Sequence, residues 1–304
     1  MPPVMSDKLR AYLYLHFCVL LWGFTAILGK LITLQALSLV WWRVLLCSVA
    51  LWFMIPRTRL REISPAIWRQ LILVGALVGI HWLCFYGAVK LANASVAVAT
   101  MGATSFFSAL AEPVFLKKRL NRLELGLGIL VLPGMALVAG NLDFSMRMGF
   151  AVGVSGALLA AVFTALNKRI LDTEPPPPLV ISFVELSAAL LTTSVFLPFW
   201  LMLSPDSRAI PQGMDWFWLS VFVVLCTLLP FYLSLVAMRH LTAFTANFAI
   251  NLEPIYGVIL AALIFREDKE LSPGFYFGMA ILIPAVFSHP FLKKLLDKPA
   301  APAD

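Results

Sequence analysis

The sequence predicts an all-α membrane protein of ten transmembrane helices, arranged as two inverted five-helix repeats. Three observations predict it. Of the 304 residues, 61% are apolar and only 13% are charged, too little polar surface to coat a soluble globule. Apolar runs of roughly 20 residues, the length that crosses a bilayer as helix, recur along nearly the whole chain. Landmarks also repeat about 140–150 residues apart. Phe24-Thr25-Ala26-Ile27 resembles Phe163-Thr164-Ala165-Leu166, Lys30 matches Arg169, and Lys90 matches Arg239. Leu120 and Pro133 correspond in the same order to Leu271 and Pro284. Each half then holds five spans, and an odd number turns the second half upside down relative to the first.

Taken in order, the spans fall at 10–32, 36–56, 66–90, 93–116, 122–140, 147–169, 178–203, 215–238, 243–265 and 272–292. The run from Ala11 to Ile32 is too long for a signal-peptide core and lacks a small-residue cleavage site, so it reads as a retained span. Very short links at 33–35 and 91–92 force antiparallel neighbours. Pro175 to Pro178 cannot continue a helix and make a stiff connection between the halves. The expected units are 1–143 (first repeat), 144–298 (second repeat) and a disordered Pro/Ala-rich tail, 299–304.

The net charge of +7 invites a nucleic-acid reading, but the basic residues sit at helix ends and not on one continuous face. With the amino terminus inside, only Lys30, Lys90, Arg147, Arg208, Arg266 and Lys269 lie outside, and Arg43 lies within a span. The remaining basic residues collect on the cytoplasmic side, which places both termini in the cytoplasm. Cys18, Cys47, Cys84 and Cys226 each fall inside a span without metal-ligand spacing and read as small hydrophobes. No metal and no cofactor is expected. There is no phosphate-binding lysine loop, HExxH, GxSxG or GxGxxG, and loops of about ten residues leave no room for a soluble catalytic domain.

The most informative stretch runs from Ala243 to Phe265. It is apolar enough to span, yet carries Glu253-Pro254 near its midpoint, with Asn247 and Asn251 just before. A carboxylate at that depth must face protein or water. Pro254 removes a backbone donor and frees a carbonyl one turn back. Glu253 is thus the strongest candidate to hold a substrate amine or exchange a proton; the competing reading is a structural acid bonded to a neighbouring helix. Tyr256 shares roughly its face.

In the fourth span Thr100, Thr104, Ser108 and Glu112 recur every fourth residue, a stripe that can line a wet face or simply bond its own helix. Glu112 also lies near Lys117 and Lys118, so an interfacial ion pair suits it. His81 with Phe85, and Trp82 with Tyr86, form adjacent aromatic stripes in the third span, and Trp22 is similar in the first. Such a wall binds an organic cation by stacking, or packs as core. Arg43 and Glu185 occupy corresponding positions in spans two and seven, but at depths about 10 Å apart by helical rise. They read as symmetry equivalents with separate partners, and Arg43, Glu112 and Glu185 together as structural intramembrane charges. Gly75/Gly79, Gly149/Gly153/Gly156 and Gly274/Gly278 are spaced for close helix approach.

Leu21-Trp22-Gly23-Phe24-Thr25-Ala26-Ile27-Leu28-Gly29-Lys30, Trp41-Trp42-Arg43 and Asn251-Leu252-Glu253-Pro254-Ile255-Tyr256-Gly257 resemble the EamA-type exporters of the drug/metabolite transporter superfamily. The resemblance covers nearly the whole chain as two tandem repeats. It implies a basket whose central cavity is lined by helices one, three, four, six, eight and nine, with five and ten outside. It also implies export of amino acids or related metabolites across a bacterial inner membrane. The partners expected are the lipid bilayer, a small-molecule substrate and protons for coupling, with no nucleic acid. The residues expected to bind substrate are Trp22, His81, Tyr86, Thr100, Thr104, Ser108, Asn247, Asn251, Glu253 and Tyr256. Nucleotide-sugar or drug carriage, and a channel or sensor, stand as alternatives. An intramembrane enzyme is disfavoured, because the midspan histidine has no obvious partner.

Overall fold

In this computed structural model residues 6–173, 175–203, 208–242, 245–246, 249 and 252–281 are described. Eight helices are long and apolar enough to cross a membrane. They are α1 (Asp7–Leu31), α2 (Ala36–Met54), α3 (Pro65–Leu91), α4 (Ala94–Leu116), α5 (Arg122–Gly140), α6 (Phe144–Thr173), α7 (Pro178–Leu203) and α8 (Met214–Met238). They are followed by a shorter apolar helix, α9 (Glu253–Phe265), and by α10, helical over 273–281. No strand occurs among the described residues. The expected spans agree with these helices to within a few residues. Of the ninth, Thr245, Ala246 and Ala249 are helical, whereas Asn247 and Asn251 lie outside the described residues, as do the far part of the tenth span and 299–304.

Local chemistry explains the boundaries. Ser6 and Ser64 accept from the amides of Leu9 and Ile67 to cap α1 and α3, and Pro65 opens α3 where no intrahelical donor is needed. Asn93 caps α4 through Val96 N, and Asn121 caps α5 through Leu123 N. Inside α1 the Thr25 hydroxyl donates to the Trp22 carbonyl at 2.7 Å, where the helix is interrupted at Phe24.

The two halves repeat one another in these details. A helical segment from Thr104 to Leu116 ends in Lys117 at φ 52°, its amide bonded to the Pro113 carbonyl. The segment from Glu253 to Phe265 has the same 13 residues and ends in Arg266 at φ 57°, bonded to the Ala262 carbonyl. Both caps are left-handed without being glycine, so the repeated backbone shape has been kept against its local cost. Lys90 Nζ donates to the carbonyl of Ile32 in the α1–α2 link at 2.8 Å. Arg239 donates to the carbonyl of Pro176 in the α6–α7 link at 2.9 Å. The same tie is therefore made twice, at opposite ends of the bundle, as inversion requires.

Helices pack closely where side chains are smallest. α3 lies against both α6 and α7, α2 against α7, α4 against α6, and α1 against α8. Gly75 of α3 meets the backbone of Glu185 and the methyl of Ala188, and Gly153 of α6 meets the side chain of Thr100. In lipid such contacts supply the association energy that water exclusion supplies elsewhere. Phe53, Leu191, Met202 and Leu203 are instead exposed, as side chains against lipid tails would be. Gly75→Ala is expected to press a methyl against the Glu185 carbonyl and to cost about 1–3 kcal/mol. Thermal unfolding in detergent reads it, and an unchanged midpoint would mean a looser α3–α7 crossing.

Candidate functional site

Between the halves lies a cavity of about 100 Å³. Its walls are Leu15, Trp22 and Thr25 from α1; Arg43 from α2; His81, Trp82, Phe85 and Tyr86 from α3; and Met101 and Thr104 from α4. Ala160, Phe163, Thr164 and Asn167 of α6 and Phe231, Ser234, Leu235 and Met238 of α8 face them, with Ala246 and Glu253 completing the wall. All six helices expected to line the cavity do so, and α2 joins them through Arg43.

Arg43 is only 2% exposed, and a guanidinium so buried needs its N–H groups satisfied. Its Nε donates to Thr227 Oγ1 at 2.7 Å, its Nη1 to the Tyr86 hydroxyl at 2.9 Å and its Nη2 to the Cys226 carbonyl at 3.4 Å. That carbonyl is available for a reason written in the chain. Pro230, four residues on, has no N–H to occupy it, and α8 adopts a π turn over Val224–Leu228 at this point. Thr227 completes the arrangement by donating to the Phe222 carbonyl at 2.8 Å. The guanidinium lies over the Trp82 ring at 3.7 Å and the Phe222 ring at 4.3 Å, where cation–π attraction replaces hydration. Reading Arg43 as a structural charge understates its position, because the same group forms part of the cavity wall.

His81 Nδ1 lies 2.8 Å from the Gly156 carbonyl. A carbonyl only accepts, so Nδ1 carries the hydrogen and a neutral ring leaves Nε2 as acceptor. Its ring meets Phe163 edge-on at 5.3 Å, and Tyr86 meets Phe85 at 5.0 Å. Thr104 is fully buried, and its hydroxyl has no hydrogen-bond partner among the described residues. In the repeat it occupies the place of Glu253, each being the first residue of a 13-residue helical segment. Corresponding positions of the two halves thus present a hydroxyl and a carboxyl to the cavity.

Of the residues expected to bind substrate, Trp22, His81, Tyr86, Thr104 and Glu253 are brought together. Thr100, Ser108 and Tyr256 are not. Thr100 Oγ1 donates to the Ala97 carbonyl at 2.6 Å and its side chain packs on Gly153. Ser108 is buried away from the cavity. Tyr256 is 36% exposed, with its Cβ against Gly23. A 3₁₀ turn at Met101–Ala103 separates Thr100 from the helical segment that carries Thr104 and Ser108, and Ser108 lies a full turn farther along it. Glu112 lies 3.6 Å from Lys118 Nζ, the ion pair open from the sequence. Thr25, Phe163, Asn167 and Ser234 line the cavity unannounced; the Phe-Thr repeat had marked Thr25, Phe163 and Thr164 without assigning them a role.

One end of the bundle is tied across the halves. Glu267, fully buried, accepts from Lys30 Nζ at 2.7 Å, Ser95 N at 2.9 Å and Ser95 Oγ at 2.6 Å. It thereby occupies the amide-rich start of α4. Asp215 accepts from Thr33 N at 2.8 Å and Thr33 Oγ1 at 2.6 Å. At the other end the ties of Lys168, to Asp172 and the Met238 carbonyl, and of Arg239 remain within the second half.

The model of the EamA-like transporter family matches residues 9–140 and again 147–289. The chain belongs to this family. It is therefore a multi-pass membrane transporter. Among solved structures, a crystal structure of a protein 15% identical aligns over 95% of this chain and 99% of its own, with a TM-score of 0.68. At that identity the likeness speaks for the fold alone. A search of curated proteins gives no match.

Loosening the Glu267 tie should favour opening at that end. Glu267→Gln removes the charge from its bonds to Lys30 and Ser95, a loss of about 1–3 kcal/mol. In a background without the native cysteines, Thr104→Cys is expected to react several times faster with a membrane-impermeant maleimide when Glu267 is Gln. An unchanged rate from both membrane sides would mean that Glu267 does not govern access.

Proposed function

We propose that this EamA-like transporter exports zwitterionic metabolites of the amino-acid class by alternating access. The observation that carries the reading is the chemistry of the cavity. An Arg43 guanidinium and a Glu253 carboxyl share walls that are otherwise aromatic and aliphatic, with a few hydroxyls and one amide. A zwitterion needs one group of each sign, and an aromatic lining accepts an apolar side chain. In this assignment Arg43 faces the carboxylate and Glu253 the ammonium group, while Thr104, Tyr86 and Asn167 supply neutral hydrogen bonds. Trp22 and His81 close around the side chain.

The halves, 1–143 and 144–298, rock about this site. The Glu267–Lys30–Ser95 tie belongs to the state closed on one side. With both termini cytoplasmic in a bacterial inner membrane, as the basic-residue asymmetry supports, that side is the outer one and the cavity faces the cell interior. A nucleotide-sugar substrate fits less well. Among the described cavity-lining residues Arg43 is the only Lys or Arg, and three of its donors are engaged. A diphosphate asks for more.

Counterflow in proteoliposomes with a panel of labelled amino acids tests the reading. Saturable exchange of a subset is expected. Glu253→Gln is expected to fold normally and to weaken that exchange about ten- to hundredfold, the value of one charge-assisted bond. Unimpaired exchange by a well-expressed variant would remove Glu253 from the mechanism, and conductance without saturable exchange would point to a channel.

A further inference from the structure

Behind the cavity wall, Asn167 Nδ2 of α6 donates to Glu185 Oε2 of α7 at 3.3 Å. Glu185 is fully buried and Asn167 is 2% exposed. The charged and titratable groups on the surrounding helices are engaged elsewhere. On α2, Arg43 is held by Thr227, Tyr86 and Cys226, and Cys47 is a buried free thiol. On α3, His81 is bonded to Gly156, and on α6 Lys168 pairs with Asp172 at 2.7 Å. Beyond α8, Arg239 is tied to Pro176, and Glu253 sits on α9, which packs against α1 and α4. Among the described residues no cation pairs with Glu185.

Among the described residues two oxygens of this pair have no hydrogen-bond partner, Oε1 of Glu185 and Oδ1 of Asn167. An ionised carboxylate and an amide oxygen are both acceptors only, so neither can satisfy the other. One proton on Glu185 supplies the missing donor. Its O–H then gives to Asn167 Oδ1 while Asn167 Nδ2 gives to Oε2, and both groups are satisfied.

We propose that Glu185, oriented by Asn167, is the proton-binding carboxyl of this transporter. Asn167 also lines the cavity, so it joins the proton site to the solute site. A solute or water that donates to Asn167 Oδ1 displaces the acid's O–H from its acceptor while Nδ2 keeps its bond to Oε2, which favours the carboxylate, and the proton passes to water in the cavity as solute binds. The exchange of one proton for one solute rests on the exporter reading above; the proton on Glu185 does not.

The test has two arms. Infrared spectroscopy of the purified full-length protein at neutral pH is expected to show the C=O stretch of a buried protonated carboxyl. The band should be lost in Glu185→Gln and persist in Glu253→Gln. In proteoliposomes, a one-unit pH gradient driving one-for-one exchange sustains an about tenfold solute gradient. Glu185→Gln is expected to keep counterflow while losing that accumulation. Glu185→Asp, which keeps a titratable group should the amide variant fold poorly, is expected to retain both the band and the gradient response. An unchanged acid band in Glu185→Gln, or accumulation still driven by the gradient, overturns the proposal. Loss of the band with gradient coupling intact would also overturn it, leaving only a structural proton. Absence of amino-acid exchange in the wild type would instead remove the solute class and leave the infrared arm to be read alone.

Discussion

Burying a guanidinium inside a lipid-embedded helix bundle is the constraint around which the rest of this structure is arranged. Each unsatisfied N–H there carries a desolvation penalty that lipid cannot repay. The chain answers with groups from two other helices: Tyr86 on α3, and Thr227 with the Cys226 carbonyl on α8, around Arg43 on α2. That carbonyl exists because Pro230 leaves it without an intrahelical partner. A helix defect that would be a liability elsewhere thus becomes an acceptor. Trp82 and Phe222 then cover the charge with ring faces, so that the cation is stabilised without a carboxylate beside it. Glu253 need not be consumed in neutralising it.

The inverted repeat explains why polar groups appear where they do. The two 13-residue segments begin at Thr104 and Glu253 and end in left-handed caps at Lys117 and Arg266. Lys90 and Arg239 make matching ties to the links between the first two helices of each half, at opposite ends. Divergence between the halves then does the chemical work. One midpoint has kept a hydroxyl and the other a carboxyl, so a site of symmetric shape has become asymmetric in charge. The same asymmetry separates the ends, where Glu267 finds Lys30 and the start of α4 in the other half.

Much of this was legible beforehand, and the failures have local causes. Glu253 stood out because a carboxylate beside proline in an apolar span has few cheap explanations. His81, Tyr86 and Trp22 were visible as aromatic stripes. Of the hydroxyl stripe only Thr104 reaches the cavity, since the 3₁₀ turn at Met101–Ala103 sets Thr100 apart and Ser108 lies a full turn farther along the helix. Arg43 was read only as a structural intramembrane charge. Its acceptors, Thr227 and Cys226, lie more than 180 residues away along the chain. Asn167 gave no signal, because a single amide near the end of a span has no pattern around it.

The sequence by itself determined the class of molecule, its membrane-spanning helices and their inverted duplication. Those properties follow from composition, run length and the order of landmarks, all of which are local or periodic along the chain. Only the tertiary structure decided which polar side chains share one cavity, because that depends on the rotation of each helix about its axis and on defects such as the turns in α4 and α8. It also decided that Glu185 finds Asn167 and not Arg43. Within lipid a buried polar side chain must find its partner in its own helix or in a neighbouring one, and which neighbour it meets is settled by packing.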